Sequence, residues 1–291
     1  MQQATCVVTG ATGLVGRAVL PALASRFVVH GVARRPQPSG TVQWHHLDLS
    51  APCRLESLPK RTEAVVYLAQ SELFRDFPDH CLDVHQVNTG NLVRFLDYAR
   101  RAGARTFVFA SSGGVYGGGG DGFSEDQVVP VHDDRDFYLA TKVCSEVLAR
   151  SFAALFNVVI LRLFFVYGPG QRSTMLIPRL IARVQDGAPI ILQGEQGIRL
   201  NPTHVSDAAE AVVRAVGLTH SETVNVAGPE VLTLREMGEI IGQIVGKRPV
   251  FTVEERSTPR HLCGDLAKMR RLLGAPRVGF AEGVQSIVQS M

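Results

Sequence analysis

Tyr138 and Lys142 are the residues whose types and spacing most directly suggest acid/base chemistry. They stand four positions apart in DFYLATKVCSEV (136–147), a segment that reads as the start of a helix. Residues i and i+4 share one helix face, so we expect the lysine ammonium to lie beside the tyrosine hydroxyl. A nearby cation favours phenolate over phenol and lowers a tyrosine pKa from its ordinary value of about 10. Tyr138 is therefore a candidate proton donor or acceptor; the alternative is a half-buried tyrosine beside a solvated helix lysine.

A glycine-rich turn near the start of the chain suggests a phosphate site. The segment TGATGLVG follows the β-branched run TCVVTG (5–10) and opens the helical pattern LVGRAVLPALASR (14–26). Glycines permit a sharp turn and let backbone N–H groups approach a pyrophosphate at the positive end of a helix. We expect a dinucleotide here, unless the turn is only a tight connection with close helix packing. The residues assigned to it are Gly10, Thr12, Gly13, Leu14, Val15 and Gly16.

The end of the second predicted strand bears on the choice of dinucleotide. Where an acidic residue often binds the adenosine ribose, this chain reads GVARRP, with Ala33 followed by Arg34 and Arg35. Arginines pair well with a 2′-phosphate, so we expect NADP(H) to be favoured over NAD(H). Asp48, with Leu49 beside it, is a candidate adenine contact. The alternatives are two solvated arginines and a surface or capping aspartate.

Strand and helix patterns alternate along the chain and predict an α/β fold. We expect a Rossmann-type doubly wound parallel sheet, with a smaller C-terminal α/β substrate-binding region. The dinucleotide-binding domain is predicted over 1–168, with part of 200–227 returning to it, and the substrate region over 169–291. Predicted strands cover 5–10, 27–34, 64–69, 106–112 and 157–168, and predicted helices cover 14–26, 88–103, 138–156, 174–186 and 205–217. Thr233 and Glu236 have the spacing of a capping box that opens a further helix.

Composition excludes several classes of protein. The chain has 291 residues, 45% of them hydrophobic and 20% charged, and a formal net charge of +3. This charge is too small to indicate a nucleic-acid or membrane surface. Five cysteines without C-x-x-C spacing indicate neither a disulfide framework nor a zinc site, and we expect no metal. No apolar run approaches the roughly 20 residues of a membrane span, so a soluble, cytoplasmic protein is expected.

Several motifs in order resemble one known family. They are the glycine turn, YLA after a strand, Asn88 opening a helix, SSGGVYG after a strand, and Tyr138-x-x-x-Lys142. Together they resemble the extended short-chain dehydrogenase/reductase family, which includes nucleotide-sugar epimerases, dehydratases and ketoreductases. The resemblance continues through LRLFFVYGPGQ and NPTHVSDAAEAVV and covers nearly the whole chain. It implies an NAD(P)-dependent oxidoreductase acting on a nucleotide sugar, and a homodimer built from helices 88–102 and 138–156.

The resemblance also implies roles for individual residues. Ser112 matches the catalytic Ser/Thr that hydrogen-bonds the reacting oxygen, Tyr138 the acid/base, and Lys142 the cation beside the cofactor ribose. Asn88 matches a residue that supports the active site, although a helix N-cap is also expected of it. Leu68 and Ala69 match the cofactor-lining segment. The substrate-binding candidates are Ser112, Gly113, Tyr116, Phe165, Arg172, Arg179 and Arg199. Core packing is the alternative for Tyr116, and surface exposure the alternative for the arginines.

Departures from the family pattern narrow the expected reaction. Gly113 and Gly114 stand where dehydratases carry an Asp-Glu pair, and Phe165 stands where many epimerases carry an Asn. With Arg34 and Arg35, these positions favour NADPH-dependent reduction of a 4-keto-deoxysugar nucleotide, most simply dTDP-linked, with Tyr138 as proton donor. The alternatives are an NAD-dependent nucleotide-sugar 4-epimerase and a non-catalytic dinucleotide-binding sensor. Residues 117–126, GGGGDGFSED, are expected to form a mobile lid.

Overall fold

A computed structural model describes residues 3–37, 40–130, 136–255 and 257–291, without the side chain of Asp121. The strands are β1 Thr5–Thr9, β2 Val28–Ala33, β3 Val42–His46, β4 Ala64–Tyr67, β5 Thr106–Ser112, β6 Gly120–Phe123, β7 Asn157–Leu163, β8 Ile190–Gln193, β9 Arg199–Leu200, β10 Glu222–Val226, β11 Leu232–Thr233, β12 Phe251–Glu254 and β13 Leu262–Gly264. The helices are α1 Leu14–Ala24, α2 Cys81–His85, α3 Asn91–Arg101, α4 Phe137–Arg150, α5 Leu176–Asp186, α6 Val205–Val216, α7 Leu234–Val245, α8 Ala267–Leu272 and α9 Phe280–Gln289. A π-helical turn, Gln86–Gly90, joins α2 to α3, and a 3-10 turn, Gly113–Tyr116, follows β5.

The main sheet has seven strands in the order β10-β7-β5-β4-β1-β2-β3. Strand β1 pairs in parallel with both β2 and β4, and the parallel pairing continues to β3 on one side and β5 on the other. The strand order reverses between β1 and β4, and in sheets of this type ligands bind outside the carboxyl ends of the strands at that point. The expected Rossmann-type sheet is confirmed.

Burial explains why these segments form parallel strands. The sequence of β1, TCVVT, is β-branched, and Cys6, Val7 and Val8 are fully buried. A strand covered on both faces needs apolar residues in succession rather than in alternation. Helix α3 contributes Leu92, Phe95, Leu96 and Ala99 to the core on one side of the sheet. These apolar α3 residues therefore belong to the internal core and not to a subunit surface.

The chain folds into two compact units. Unit 1 comprises Met1–Val115, Val129–Arg162 and Ala209–Val224, and unit 2 comprises Tyr116–Val128, Leu163–Ala208 and Asn225–Met291. The sequence analysis set the change of domain near residue 168, whereas the chain here changes unit after Arg162. Unit 2 contains a four-stranded sheet, β11-β9-β13-β6, and the parallel pair β12-β8. Its core includes apolar residues from α5, α7 and α9.

Several element boundaries differ from the sequence predictions. The helix predicted over 138–156 ends at Arg150, and the strand predicted over 157–168 ends at Leu163. The helix predicted to begin at Asn88 is preceded by α2 and the π-helical turn, so Asn88 lies inside a helical segment and is not its N-cap. At α7 the capping box is confirmed: the Thr233 side chain accepts from the Glu236 N–H, and the Glu236 carboxylate accepts from the Thr233 N–H.

The glycine-rich stretch 117–126 is more regular than expected. Within unit 2, β6 pairs in parallel with β13, and the Gly119 N–H donates to the His261 carbonyl at 2.9 Å. Gly117, Gly118, Gly119 and Gly122 have φ between +79° and +108°, conformations open to glycine. The stretch therefore includes a paired strand, Gly120–Phe123, and the expectation of a mobile lid stays a prediction. Among the described residues, no helix is both long and apolar enough to cross a membrane.

Candidate active site

The glycine turn after β1 forms a close-packed cradle. The Gly13 N–H donates to the Gly10 carbonyl at 2.9 Å, and Gly13 precedes the first residue of α1. A Cβ on Gly16 would overlap the Gly10 carbonyl oxygen, and one on Gly10 would lie 2.9 Å from the Ala69 nitrogen. Gly10 also has φ +64°. Side chains are therefore excluded at the positive end of α1, and the residues present fit a dinucleotide pyrophosphate. Thr12, Leu14 and Val15 are partly exposed at this turn.

The arginine after β2 is already held by acidic side chains. Arg34 pairs with Glu72 at 2.8 Å. The backbone N–H of Ser50 lowers the pKa of Asp48, and the positive charge of Arg34 also contributes. Arg35 is exposed, and Leu49 is buried in the core rather than open to a ligand. A guanidinium neutralised by carboxylates is poorly placed to select a 2′-phosphate dianion.

Ser112 and Tyr138 meet at the carboxyl end of β5. Asp136 caps α4 by accepting the Leu139 N–H at 2.7 Å, which sets Tyr138 in the first turn of the helix. Burial raises the pKa of Tyr138, a hydrogen bond with the Ser112 hydroxyl acts to lower it, and the charge of Asp136 raises it. The expected lowering of the Tyr138 pKa by Lys142 is wrong for this structure, since burial outweighs the other contributions.

Lys142 is buried beneath the tyrosine. Its Nζ donates to the Ala110 carbonyl at 2.8 Å and lies 5.7 Å from the centre of the Tyr138 ring. Burial lowers the pKa of Lys142 to about 7, against the opposing influence of Glu146. The alternative of a solvated surface lysine is excluded, because only 2% of Lys142 is exposed. A lysine with this pKa can gain or lose its proton near neutral pH.

A buried ion pair lies one helical turn beyond Lys142. Glu146 accepts two hydrogen bonds from Arg162, at 3.0 and 2.8 Å, and one from the Ser111 hydroxyl at 2.6 Å. Burial alone would raise the pKa of Glu146, but Arg162 and the Ser111 hydrogen bond together lower it. The Ser111 hydroxyl is thereby directed at Glu146 and not at Tyr138. This network fixes the helix face that bears Lys142.

Asn88 ties three elements together from within the π-helical turn. Its Oδ1 accepts the Ser71 N–H at 3.1 Å, and its Nδ2 donates to the Thr141 hydroxyl at 2.9 Å. The Ser145 hydroxyl donates to the Asn88 carbonyl at 2.9 Å. The π-turn thus binds both the segment after β4 and helix α4. The hydrogen bonds of Asn88 hold these elements together, and π-turns are common at functional sites.

Within unit 2, the structure gives different surroundings to the candidate substrate arginines. A cavity of about 350 Å³ is lined by Arg199, among other residues, but not by Arg172 or Arg179. Arg172 and Arg179 are exposed. The full lining is Gln193, Gly194, Glu195, Gln196, Gly197, Arg199, Thr233, Pro259 and His261.

Two aromatic candidates have different surroundings. Tyr116 is buried, donates a hydrogen bond to Asn225 Oδ1 at 2.9 Å and stacks on Phe123, so its packing supports the core alternative. Phe165 is half-buried and has φ +42°, which is unusual for a bulky residue. Asn tolerates this conformation better than Phe.

Gly113 is buried at the start of the 3-10 turn, and the Gly114 N–H donates to the Ser112 hydroxyl oxygen at 3.1 Å.

Sequence reasoning missed two neighbours of Tyr138. The Tyr138 hydroxyl donates to Gln70 Oε1 at 3.0 Å, and the Phe74 ring centre lies 5.0 Å from that of Tyr138. Gln70 directly follows the YLA segment that the sequence analysis assigned to the cofactor. Its position after a central strand was the available signal. Glu146 was also missed, although it follows Lys142 at the i+4 spacing.

Comparison with known proteins identifies the family. The model of the NAD dependent epimerase/dehydratase family matches residues 6–227. The chain belongs to this family. A Bacillus subtilis protein named as an uncharacterised UDP-glucose epimerase is 31% identical over 64% of this chain, and a UDP-glucuronate 4-epimerase from Thermodesulfobacterium geofontis is 26% identical over 69%. The chain spans only 60% and 63% of the length of these two relatives.

Other similar proteins match this chain over almost its whole length. The GDP-6-deoxy-D-mannose reductase of Pseudomonas aeruginosa is 29% identical, over 97% of this chain and 95% of its own. The solved structure of MoeE5 with UDP-glucuronic acid and NAD has a TM-score of 0.85 and 29% identity, over 99% of this chain and 98% of that one. A UDP-glucuronic acid 4-epimerase from Bacillus cereus, at 22% identity and TM-score 0.86, shares the fold over 98% of each chain.

The predicted preference for NADP is wrong. The similar solved structures named above hold NAD. The physical reason lies in the pairing of Arg34 with Glu72, reinforced by the nearby charge of Asp48. Local sequence does not indicate this pairing, because Glu72 lies 38 positions beyond Arg34 in the chain.

Proposed function

We propose that this protein is an NAD-dependent 4-epimerase of UDP-linked hexoses, with UDP-glucuronate and UDP-glucose as first candidates. The observation that carries the proposal is the set Ser112, Tyr138 and Lys142 beside the glycine cradle, in a chain that matches MoeE5 over almost its full length. The proposed reaction corresponds to the epimerase alternative stated in the sequence analysis, not to its first expectation of a dTDP-sugar ketoreductase.

The proposed chemistry divides between the cofactor and the side chains. NAD held by the glycine cradle of Gly10, Gly13 and Gly16 would supply reversible hydride exchange with carbon 4 of the sugar. Tyr138 accepts the proton of the 4-hydroxyl as the hydride leaves and donates it back to the 4-keto oxygen. The Ser112 hydroxyl holds that oxygen by a hydrogen bond. Lys142, with its Nζ 5.7 Å from the centre of the Tyr138 ring and a pKa of about 7, can exchange a proton near neutrality beside the tyrosine.

A second candidate is net reduction of a 4-keto-6-deoxysugar nucleotide. The observation that favours it is the similarity to the P. aeruginosa reductase over 97% of this chain. Phe165 also departs from the Asn of many epimerases. The same Tyr138 would then donate its proton once, to the carbonyl oxygen, and the cofactor would leave oxidised.

One assay separates these candidates. The purified protein is incubated with UDP-glucuronate or UDP-glucose and catalytic NAD, and in parallel with 4-keto-6-deoxysugar nucleotides and NADH. A 4-epimeric sugar with an unchanged nicotinamide absorbance supports the proposal. Stoichiometric loss of NADH with the keto sugars, and no epimer, would overturn it in favour of the reductase. Dinucleotide binding without either reaction would instead favour the non-catalytic sensor.

We further propose that the protein forms a homodimer in the cytoplasm. The outer faces of α3 and α4 expose apolar side chains, of which Val147 is 58% exposed and Val93 38%. Two such helices from each subunit can pack as a four-helix bundle. All five cysteines lie in the described part of the chain and are free thiols, which fits a reducing compartment.

A further inference from the structure

The segment after β4 brings a carboxamide to the reacting hydroxyl of Tyr138. Gln70 Oε1 accepts the phenol proton at 3.0 Å. The proposed mechanism gives Gln70 no catalytic step. A group within hydrogen-bond distance of an acid/base hydroxyl affects both the direction of that hydroxyl and the balance between its two protonation states.

The backbone on each side of Gln70 is fixed. The Ala69 N–H donates to the Thr9 hydroxyl at 3.2 Å, and the Ser71 N–H donates to Asn88 Oδ1 at 3.1 Å. Ser71 is buried, and its hydroxyl bonds to Asp83. The glutamine side chain therefore projects from a defined point at the carboxyl edge of the sheet. Its approach to Tyr138 is set by the central strands rather than by a free surface loop.

We propose that Gln70 is a positioning residue for Tyr138, which holds the phenol hydroxyl toward the sugar site until the substrate oxygen takes the place of the carboxamide. This inference rests on the proposed function, in which Tyr138 is the acid/base. While Gln70 Oε1 accepts the hydrogen bond from the Tyr138 hydroxyl, Tyr138 stays a protonated phenol and its hydroxyl keeps a fixed direction. When the substrate oxygen displaces Oε1, the carboxamide can rotate and present its N–H to the phenolate. A carboxamide can serve both states because it has an acceptor and donors.

Among the described residues, the charged groups near Tyr138 come from helix α4 with its N-cap and from the segment after β4. On α4 they are Lys142, with Nζ 5.7 Å from the ring centre, and Asp136, whose charge raises the Tyr138 pKa after the larger effect of burial. On the segment after β4, Arg75 lies over the Phe74 ring at 5.0 Å, and Glu72 pairs with Arg34. The side chain of residue 70 itself is neutral. Replacement of Gln70 by Glu would therefore add a charge at the hydrogen-bond distance from the hydroxyl.

The direct test titrates Tyr138 without any sugar. The protein is labelled at the tyrosine ζ-carbon, NAD is added, and the Tyr138 resonance is assigned by its loss in Tyr138→Phe. Gln70→Glu is expected to raise the pKa of Tyr138 by at least about one unit, because a carboxylate at contact distance disfavours phenolate. The control Gln243→Glu adds the same charge on the exposed side of α7 and is expected to leave it unchanged. A shift in Gln70→Glu no larger than in the control would overturn the proposal.

A kinetic test separates positioning from substrate binding. Gln70→Ala is expected to lower kcat about tenfold while KM stays within about twofold. The reason is that the Tyr138 hydroxyl loses the hydrogen bond that fixes its direction, whereas the contacts with the sugar remain. An unchanged kcat, or a change in KM alone, would also overturn the proposal. The titration tests the Gln70–Tyr138 pair even if the sugar panel gives no turnover, so failure of the proposed function is distinguishable from failure of this inference.

Discussion

At the scale of single residues, the buried lysine determines how stability depends on pH. The pKa of Lys142 in the folded protein is about 7, lowered from 10.5 chiefly by burial. Below pH 7 the folded protein holds a buried charge, and this destabilising contribution disappears as pH rises toward the pKa of the unfolded chain. Lys142→Met is therefore expected to raise stability most at pH 7 and below, and progressively less toward pH 10.5.

Denaturant unfolding of wild type and Lys142→Met across this pH range measures the effect. Lys60→Met, at an exposed position, serves as the control and is expected to give a flat difference. The Lys142 variant should also lose turnover. A stabilisation by Lys142→Met that grows as pH rises would contradict the assigned pKa direction.

A second residue-scale prediction concerns the dinucleotide. Glu72→Gln removes the carboxylate that neutralises Arg34, so affinity for NADP relative to NAD is expected to rise about tenfold. Calorimetric titration with both dinucleotides measures the ratio. The double variant Arg34→Met with Glu72→Gln should lose the gain. An unchanged ratio in Glu72→Gln would show that the Arg34–Glu72 pair does not govern the preference.

At the scale of elements, the π-helical turn connects the segment after β4 to the catalytic helix. Asn88→Ala removes the two side-chain hydrogen bonds to Ser71 and Thr141 and leaves buried partners unsatisfied. We expect a loss of about 2 kcal/mol in the free energy of unfolding and a lower kcat. Denaturant unfolding and turnover measure both. Asn157→Ala, which breaks one bond to the Leu218 carbonyl, should cost stability without lowering kcat; equal kcat losses would contradict the positioning role of Asn88.

The helices, strands and turns differ in how well sequence patterns predict them. The glycine spacing, the β-branched strands and the helical pattern around the Tyr-Lys pair were sufficient to predict the sheet, the glycine turn and helix α4; the phosphate-binding and catalytic roles of these residues stay predictions. The π-turn was not predictable, because one extra residue in a helix leaves the local composition unchanged and a polar Asn88 reads as a cap. The strand β6 was missed for a related reason: its glycines indicate flexibility locally, while its pairing depends on β13, more than 130 residues away.

At the scale of the whole molecule, the exposed apolar faces of α3 and α4 make a prediction about assembly. Val147→Glu places a charge on the proposed subunit surface and should convert a homodimer to monomers. Light scattering after size exclusion measures the mass. Val128→Glu, at another exposed apolar position in unit 2, is the control and should leave the mass unchanged. A wild-type monomer, or a dimer that survives Val147→Glu, would contradict the assignment of this surface.

The central claim is that the hydride removed from carbon 4 of the sugar is returned to the same carbon. It rests on family membership, on the match to MoeE5 over almost the full chain, and on the residues Ser112, Tyr138 and Lys142. The most direct measurement uses UDP-glucuronate or UDP-glucose carrying deuterium at that carbon, with catalytic NAD. The account predicts a 4-epimer that retains the deuterium at carbon 4, and no product with Tyr138→Phe. Transfer of the deuterium to released nicotinamide, or its loss to solvent, would contradict the account.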